Sequence, residues 1–226
     1  GIFKQEYYFP YVESSQVTST ADCSIQRHTE RETFAGLLDE YRVGISLIFY
    51  MENSMEYRLR LKNSQPVLPK SASLSALSIH GKILLPVQKT PQQTEDRKKA
   101  ASKRSRLIEA AKRGDEEAIE TLTVEDIDLF SSVSRRVARE DIYSIVDTCF
   151  MPSGIECDQY SVIGNILSVD RRINRITGEE IFLLGLECND LLFTAAINAA
   201  DLLGEPVPGR RFKGQVWIQG NVCFEA

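Results

Sequence analysis

The spacing of apolar positions divides the chain into three parts: a mixed part over 1–90, a helical part over 91–139 and a β-rich part over 140–226. In the first, strands are expected at 3–12, 17–27 and 43–50. The last of these, Val43 to Tyr50, is rich in β-branched and aromatic residues, as a buried strand should be. Thr29-Glu30-Arg31-Glu32 followed by Phe34, Leu37 and Leu38 predicts a helix with an i, i+3, i+4 apolar stripe. A second short helix is predicted over 52–62, with Met55, Tyr57 and Leu59 inward. Ser64, Pro66, Pro69 and Ser71 punctuate a loop. Residues 73–87 return to β, with Leu77, Ile79, Ile83, Leu85 and Val87 apolar and Gly81 marking a hairpin or a bulge.

In the middle part, Pro91 can open a helix that ends at Arg113-Gly114. Asp115 caps a short acidic helix, and Thr123 with Asp126 resembles a capping box that starts another, burying Ile127, Phe130, Val133 and Val137. In the third part, strands are expected at 142–150, 159–170, 179–188, 191–198 and 211–224. Ile176-Thr177-Gly178-Glu179 is a turn signal, and Asn189-Asp190 has two-residue hairpin length. Asp201-Leu202-Leu203-Gly204 is a helical turn at most. Five strands, one of them borrowed from 142–150, are compatible with an OB-like small barrel. The fold class is therefore α+β.

Charge sharpens the middle boundary. The formal net charge is -5, yet residues 91–113 carry 8 basic and 3 acidic groups, and residues 114–130 carry 7 acidic groups and no basic one. Opposed blocks side by side suggest that the basic helix pairs with its acidic neighbour. The chain of 226 residues, 42% hydrophobic, is long enough for one or two packed domains and too apolar to be disordered. It lacks the global basicity of a nucleic-acid binder. Five widely spaced cysteines (Cys23, Cys149, Cys157, Cys188 and Cys223) with no CxxC argue against a disulfide framework or a common zinc site. Buried thiols and a cytoplasmic location are expected, with no membrane span. The opening Gly1 to Phe9 reads as the middle of a strand, so a preceding N-terminal segment is expected.

Catalytic signals are sparse. There are two histidines, His28 and His80, and neither GxSxG, HExxH, an EF-hand, a P-loop nor GxGxxG occurs. A Cys-His pair would need Cys149 or Cys157 to meet a histidine by the fold alone. Glu156 and Asp158 would share one strand face, and Asp170 with Glu179 and Glu180 flank one turn. Lysines and arginines of the 97–113 helix point in most directions around it, so no single phosphate-binding face stands out. Tyr160, Phe182, Phe193, Phe212 and Trp217, beside Arg171, Arg172, Arg175, Arg210 and Arg211, could form a single-strand stacking platform or simply a core. Trp217 lies out of phase with Val216 and Ile218, so bulky apolar surface must face outward or meet another element.

The segments Gly114 to Thr123, Ile142 to Thr148, Met151 to Val162 and Phe212 to Gly220 resemble a bacterial family of unknown function from anaerobic, gut-dwelling Gram-positive organisms. The likeness covers nearly the whole chain, most strongly from about residue 113. It implies a cytosolic bacterial protein whose members are longer at the N-terminus, and it carries over no catalytic residue. The expectation is thus a non-enzymatic binding or interaction module for a protein or small ligand. No catalytic, cofactor-binding or metal-binding residue is assigned, and the oligomeric state is open. Nucleic-acid binding through 97–113 or the aromatic and arginine strands is one alternative, and a hydrolase-type enzyme using carboxylates near 156–180 is another.

Overall fold

A computed structural model describes residues 9–14, 16–27, 33–40, 42–87, 91–155 and 157–225, apart from the side chains of 91, 93, 94, 97 and 98. The fold is α+β, built on one large mixed sheet. In chain order the elements are β1 (Cys23–Arg27), β2 (Phe34–Glu40), β3 (Ile45–Met51), α1 (Ser54–Lys62), β4 (Pro69–Leu84), α2 (Pro91–Lys112) and α3 (Glu116–Val137). There follow α4 (Ile142–Ile145), β5 (Cys149–Pro152), β6 (Gln159–Ile173), β7 (Glu180–Cys188), β8 (Leu191–Asn198), β9 (Leu202–Leu203) and β10 (Arg211–Phe224).

The sheet order is β1-β2-β3-β10-β4-β8-β7-β6-β5, with β9 on β4. A further pairing between β10 and β6, over Arg211 to Trp217, closes a ring of five strands: β10, β4, β8, β7 and β6. An OB-like barrel is not confirmed. The ring takes its fifth strand from β4 rather than from 142–150, and β4 pairs with β8 in parallel. The 142–150 stretch instead forms α4 and only the start of β5. Beyond Trp217, β10 leaves β6 and pairs with β3 at Gln219 and Gly220. Strands from both ends of the chain therefore share one sheet.

Alternation along β10 sets the two faces. Phe212, Val216, Ile218, Val222 and Phe224 are buried in the core with Phe49, Leu74, Ile166, Leu184 and Phe193. Lys213, Gln215 and Trp217 take the opposite face. Trp217 meets another element there: its ring packs edge-on against Tyr50 at 5.3 Å, and its indole N–H donates to Asp158 at 2.7 Å. Where β3 and β6 diverge, the buried Tyr160 hydroxyl bridges them, accepting from Ile48 N–H at 2.7 Å and donating to Ile48 C=O at 3.2 Å. Burial pushes this phenol up to about 12.

Several sequence expectations change. Residues 34–38 are strand, not helix. Gly36 lies opposite Phe49 on β3, and a Cβ there would stand 2.0 Å from the Phe49 ring, so the close approach of two strands overrides the helical spacing. Residues 28–32 and 1–8 lie outside the described residues, and 9–12 are not strand. In α1, Met55 and Leu59 are exposed, while Tyr57 packs against Phe34 and Phe224. β4 runs unbroken through Gly81, which leaves room for the Phe212 ring; the irregularity falls at Ile79, skipped in the pairing with β10.

The α2–α3 corner forms as the sequence suggests, with Gly114 at φ +87° and the Asp115 carboxylate accepting from Ala118 N–H at 3.1 Å. However, α3 is a single helix. Thr123 is internal to it and donates to Ile119 C=O at 2.8 Å, so it caps nothing. Ile127, Phe130 and Val137 are exposed, because α3 turns another side to α2. The opposed charges do pair: Lys103 with Glu125 at 2.6 Å and Arg104 with Asp126 at 2.9 Å. The Asn189-Asp190 hairpin is present, with both residues at positive φ, and the 201–204 turn becomes a 3₁₀ turn at Ala199–Asp201 followed by β9.

Candidate anion-binding site

On the outer face of the ring, β4 and β10 set side chains in successive cross-strand rows. Leu84 stands opposite Arg211, Lys82 opposite Lys213, and His80 opposite Gln215. Ser161 of β6 extends the last row, and Leu203 of β9 extends the middle one. The His80 and Lys82 rows border a groove of about 390 Å³, within the usual range of small-molecule sites.

Tyr143 of α4 lies over the lysine row. The Lys213 ammonium donates to its hydroxyl and sits 4.5 Å from the ring centre, while the Lys82 ammonium is 4.9 Å from the same ring. The hydrogen bond from Lys213, then its charge and that of Lys82, hold the Tyr143 phenol below the ordinary tyrosine range, against desolvation and the opposing charge of Asp141. Neither lysine has a carboxylate partner among the described residues.

Arg211 places this arrangement. It is 3% exposed, and its guanidinium donates to the carbonyls of Leu85, Val146, Asp147 and Tyr143. Four of its N–H groups are given to the backbone, so it pins α4 and the strand end at 84–85 together and adds positive charge beneath the site. Burial pulls its own titration down. Beside it, a second groove of about 560 Å³ runs between the 84–87 segment and Tyr143.

The residues singled out from sequence go elsewhere. Tyr160, Phe182, Phe193 and Phe212 are buried and belong to the core, while Trp217 is half-buried against Tyr50 and Asp158. Arg171 lies 5.2 Å from the Phe182 ring centre, Arg172 pairs with Asp170 at 2.6 Å, and Arg210 donates to Glu205 C=O. Glu179 accepts from Thr177 within the β6–β7 turn, and Glu180 lies 3.5 Å from Arg171. Glu156 and His28 lie outside the described residues. On α2, Lys99, Lys103 and Arg104 are paired with acids. The described cysteines are all free, but only Cys188 is fully buried, and Cys223 is exposed. Burial raises the Cys188 thiol, which donates to backbone carbonyls and acts as a small hydrophobe. Among the described residues no group of three or more His, Cys, Asp or Glu could hold a metal, and no helix is long and apolar enough to cross a membrane.

Sequence reasoning missed Lys82, Lys213 and Tyr143. The available signal was a lysine inside an otherwise apolar strand run, at Gly81-Lys82-Ile83 and at Phe212-Lys213-Gly214.

Fold and site together define an α+β protein with a small closed ring of strands and a cationic outer face. The chain belongs to a bacterial family described as a domain of unknown function named for an E. rectale gene description (DUF3881), which it matches over residues 1–220. No curated protein and no solved structure matches it.

Proposed function

We propose that the protein is a non-enzymatic binding module whose ligand carries a negative charge held between Lys82 and Lys213. One observation carries this reading: two lysines on adjacent strands converge on one groove, both against Tyr143 and neither neutralised by a carboxylate among the described residues. Keeping two like charges together favours a counter-anion, and His80, Ser161 and Gln215 offer further polar contacts. The site faces solvent, so salt screens it.

Titration calorimetry with inorganic phosphate at low ionic strength tests this. Lys82→Met and Lys213→Met should each weaken binding about tenfold or more, the worth of a charge-assisted hydrogen bond. Affinity should also fall in the alkaline range. The charged or titratable groups facing the Tyr143 phenol are Lys82, Lys213 and Asp141. Because the phenol is held low, it ionises before an ordinary tyrosine and becomes an internal counter-ion to Lys213. Equal phosphate affinity in the wild type and both variants would sink the reading.

A nucleic-acid role for 97–113 draws less support, because several α2 cations are already paired with acids. The hydrolase reading is weaker still, since Asp158, Asp170 and Glu179 are engaged separately with Trp217, Arg172 and Thr177.

A further inference from the structure

We infer that the ligand is a single-chain anionic amphiphile, with its charged head at the two lysines and its apolar body in the groove beside Arg211. This rests on the anion-site reading above and specifies its ligand. The head groove and the second groove follow one another along the same strand pair. The His80, Lys82 and Leu84 rows share one face of β4, and Leu84 with Arg211 borders the second groove. From the His80 row to the Leu84 row is about 13 Å at strand spacing, too long for a simple inorganic anion to occupy both.

The chemistry changes along that length. One end offers Lys82, Lys213, His80 and Ser161; the other is walled by Leu84, Leu85, Pro86 and Val87. Leu85 leaves 74% of its surface exposed at that wall. Arg211 cannot act as a second anion subsite there. Its guanidinium is committed to four backbone carbonyls, which hold the 84–85 wall against the Tyr143 wall. Apart from Asp141 and Ser144 on the α4 side, what remains open to a ligand in this groove is mostly apolar side chain, with Tyr143 at the junction touching both lysines. A polar head with an apolar chain matches that sequence of surfaces, and a trough between two walls takes one chain rather than a bilayer.

Titrations of the full chain with inorganic phosphate and with monomeric decyl phosphate below its micelle concentration test this, with phosphatidic acid vesicles as a third arm. Decyl phosphate should bind at least about tenfold tighter than phosphate, the order expected from burying a few methylenes. Leu85→Ser should abolish that gain and leave phosphate affinity unchanged, because it adds no charge near the lysines and the Leu85 group that Arg211 uses is the backbone carbonyl. Equal affinity for the two phosphates overturns the inference and leaves the anion site standing. A chain-dependent gain untouched by Leu85→Ser, or binding to vesicles alone, also overturns it. Failure of every anion to bind removes the anion site as well.

Discussion

In the core of the sheet, Phe49, Tyr160, Ile166, Leu184, Phe212 and Ile218 are shielded almost completely from water; along α3, Ile127 and Phe130 keep 60% and 75% of their surface exposed. Each buried large side chain contributes roughly 1.5–3 kcal/mol. The α2–α3 pair relies visibly on ion pairs such as Lys103–Glu125, whose partners are 64% and 36% exposed, and such pairs are worth roughly 0.2–1 kcal/mol. The sheet is therefore where stability concentrates, and the helix pair adds exposed ion pairs to a contact in which, of its described apolar residues, only Ala118 is fully buried. The candidate site belongs to the stable region: its lysines stand on the two strands that pair over the longest register in the sheet.

The sharpest test of this contrast is Phe49→Ala. Its ring is fully buried and lies against Gly36 and Gly220, so the cavity should cost about 3–5 kcal/mol in denaturant unfolding. A loss below about 1 kcal/mol would show that the core is looser than its burial indicates.

Glu40→Gln should have an intermediate effect. Burial would raise the Glu40 carboxyl, but hydrogen bonds from Arg42 and Ser19 outweigh it and hold the group below its ordinary value. Arg42 grips both carboxylate oxygens, at 2.8 and 2.5 Å, and also donates to the carbonyls of Asp190 and Thr18. At pH 7 the loss should be about 2 kcal/mol. Since the folded-state value is the lower one, the carboxylate's contribution is complete above the unfolded value, about 4.3, and disappears as pH falls through the folded value. The stability gap between wild type and variant should narrow over that acid range; a gap independent of pH would refute the ionic account.

The smallest effect belongs to α3. Phe130→Ser should change stability by about 0.5 kcal/mol or less, because the ring is largely exposed already. A loss comparable to that of Phe49→Ala would reveal a hidden partner for α3 and erase the distinction between the two regions.

What could be read from sequence follows the same division between local and distant causes. Gly114-Asp115, Thr177-Gly178 and Asn189-Asp190 announce their turns because short-range backbone geometry decides them. The charged helices were legible as a block, but not the continuity of α3, since Thr123 serves equally well inside a helix. Phe34 to Leu38 misled because the partner that makes them a strand, Ile45–Met51, lies beyond the local window. The ring was only partly legible: β4 and β8 pair in parallel although Leu84 and Leu191 are far apart in the chain. The candidate site shares that cause. Lys82, Tyr143 and Lys213 come from three distant segments, and no spacing rule joins them.

The position of β10 carries a consequence for synthesis. It is the one strand bonded to β3, β4 and β6 alike, and those three emerge well before it. Between Met51 and Arg211 the ribosome adds 160 residues, which at 5–20 residues per second takes roughly 8–30 s. Throughout that interval β3 presents an edge that β10 later covers, and β6 adds a second once Ile173 has been made. Growing chains are thus most open to edge-to-edge association just before their last strand appears.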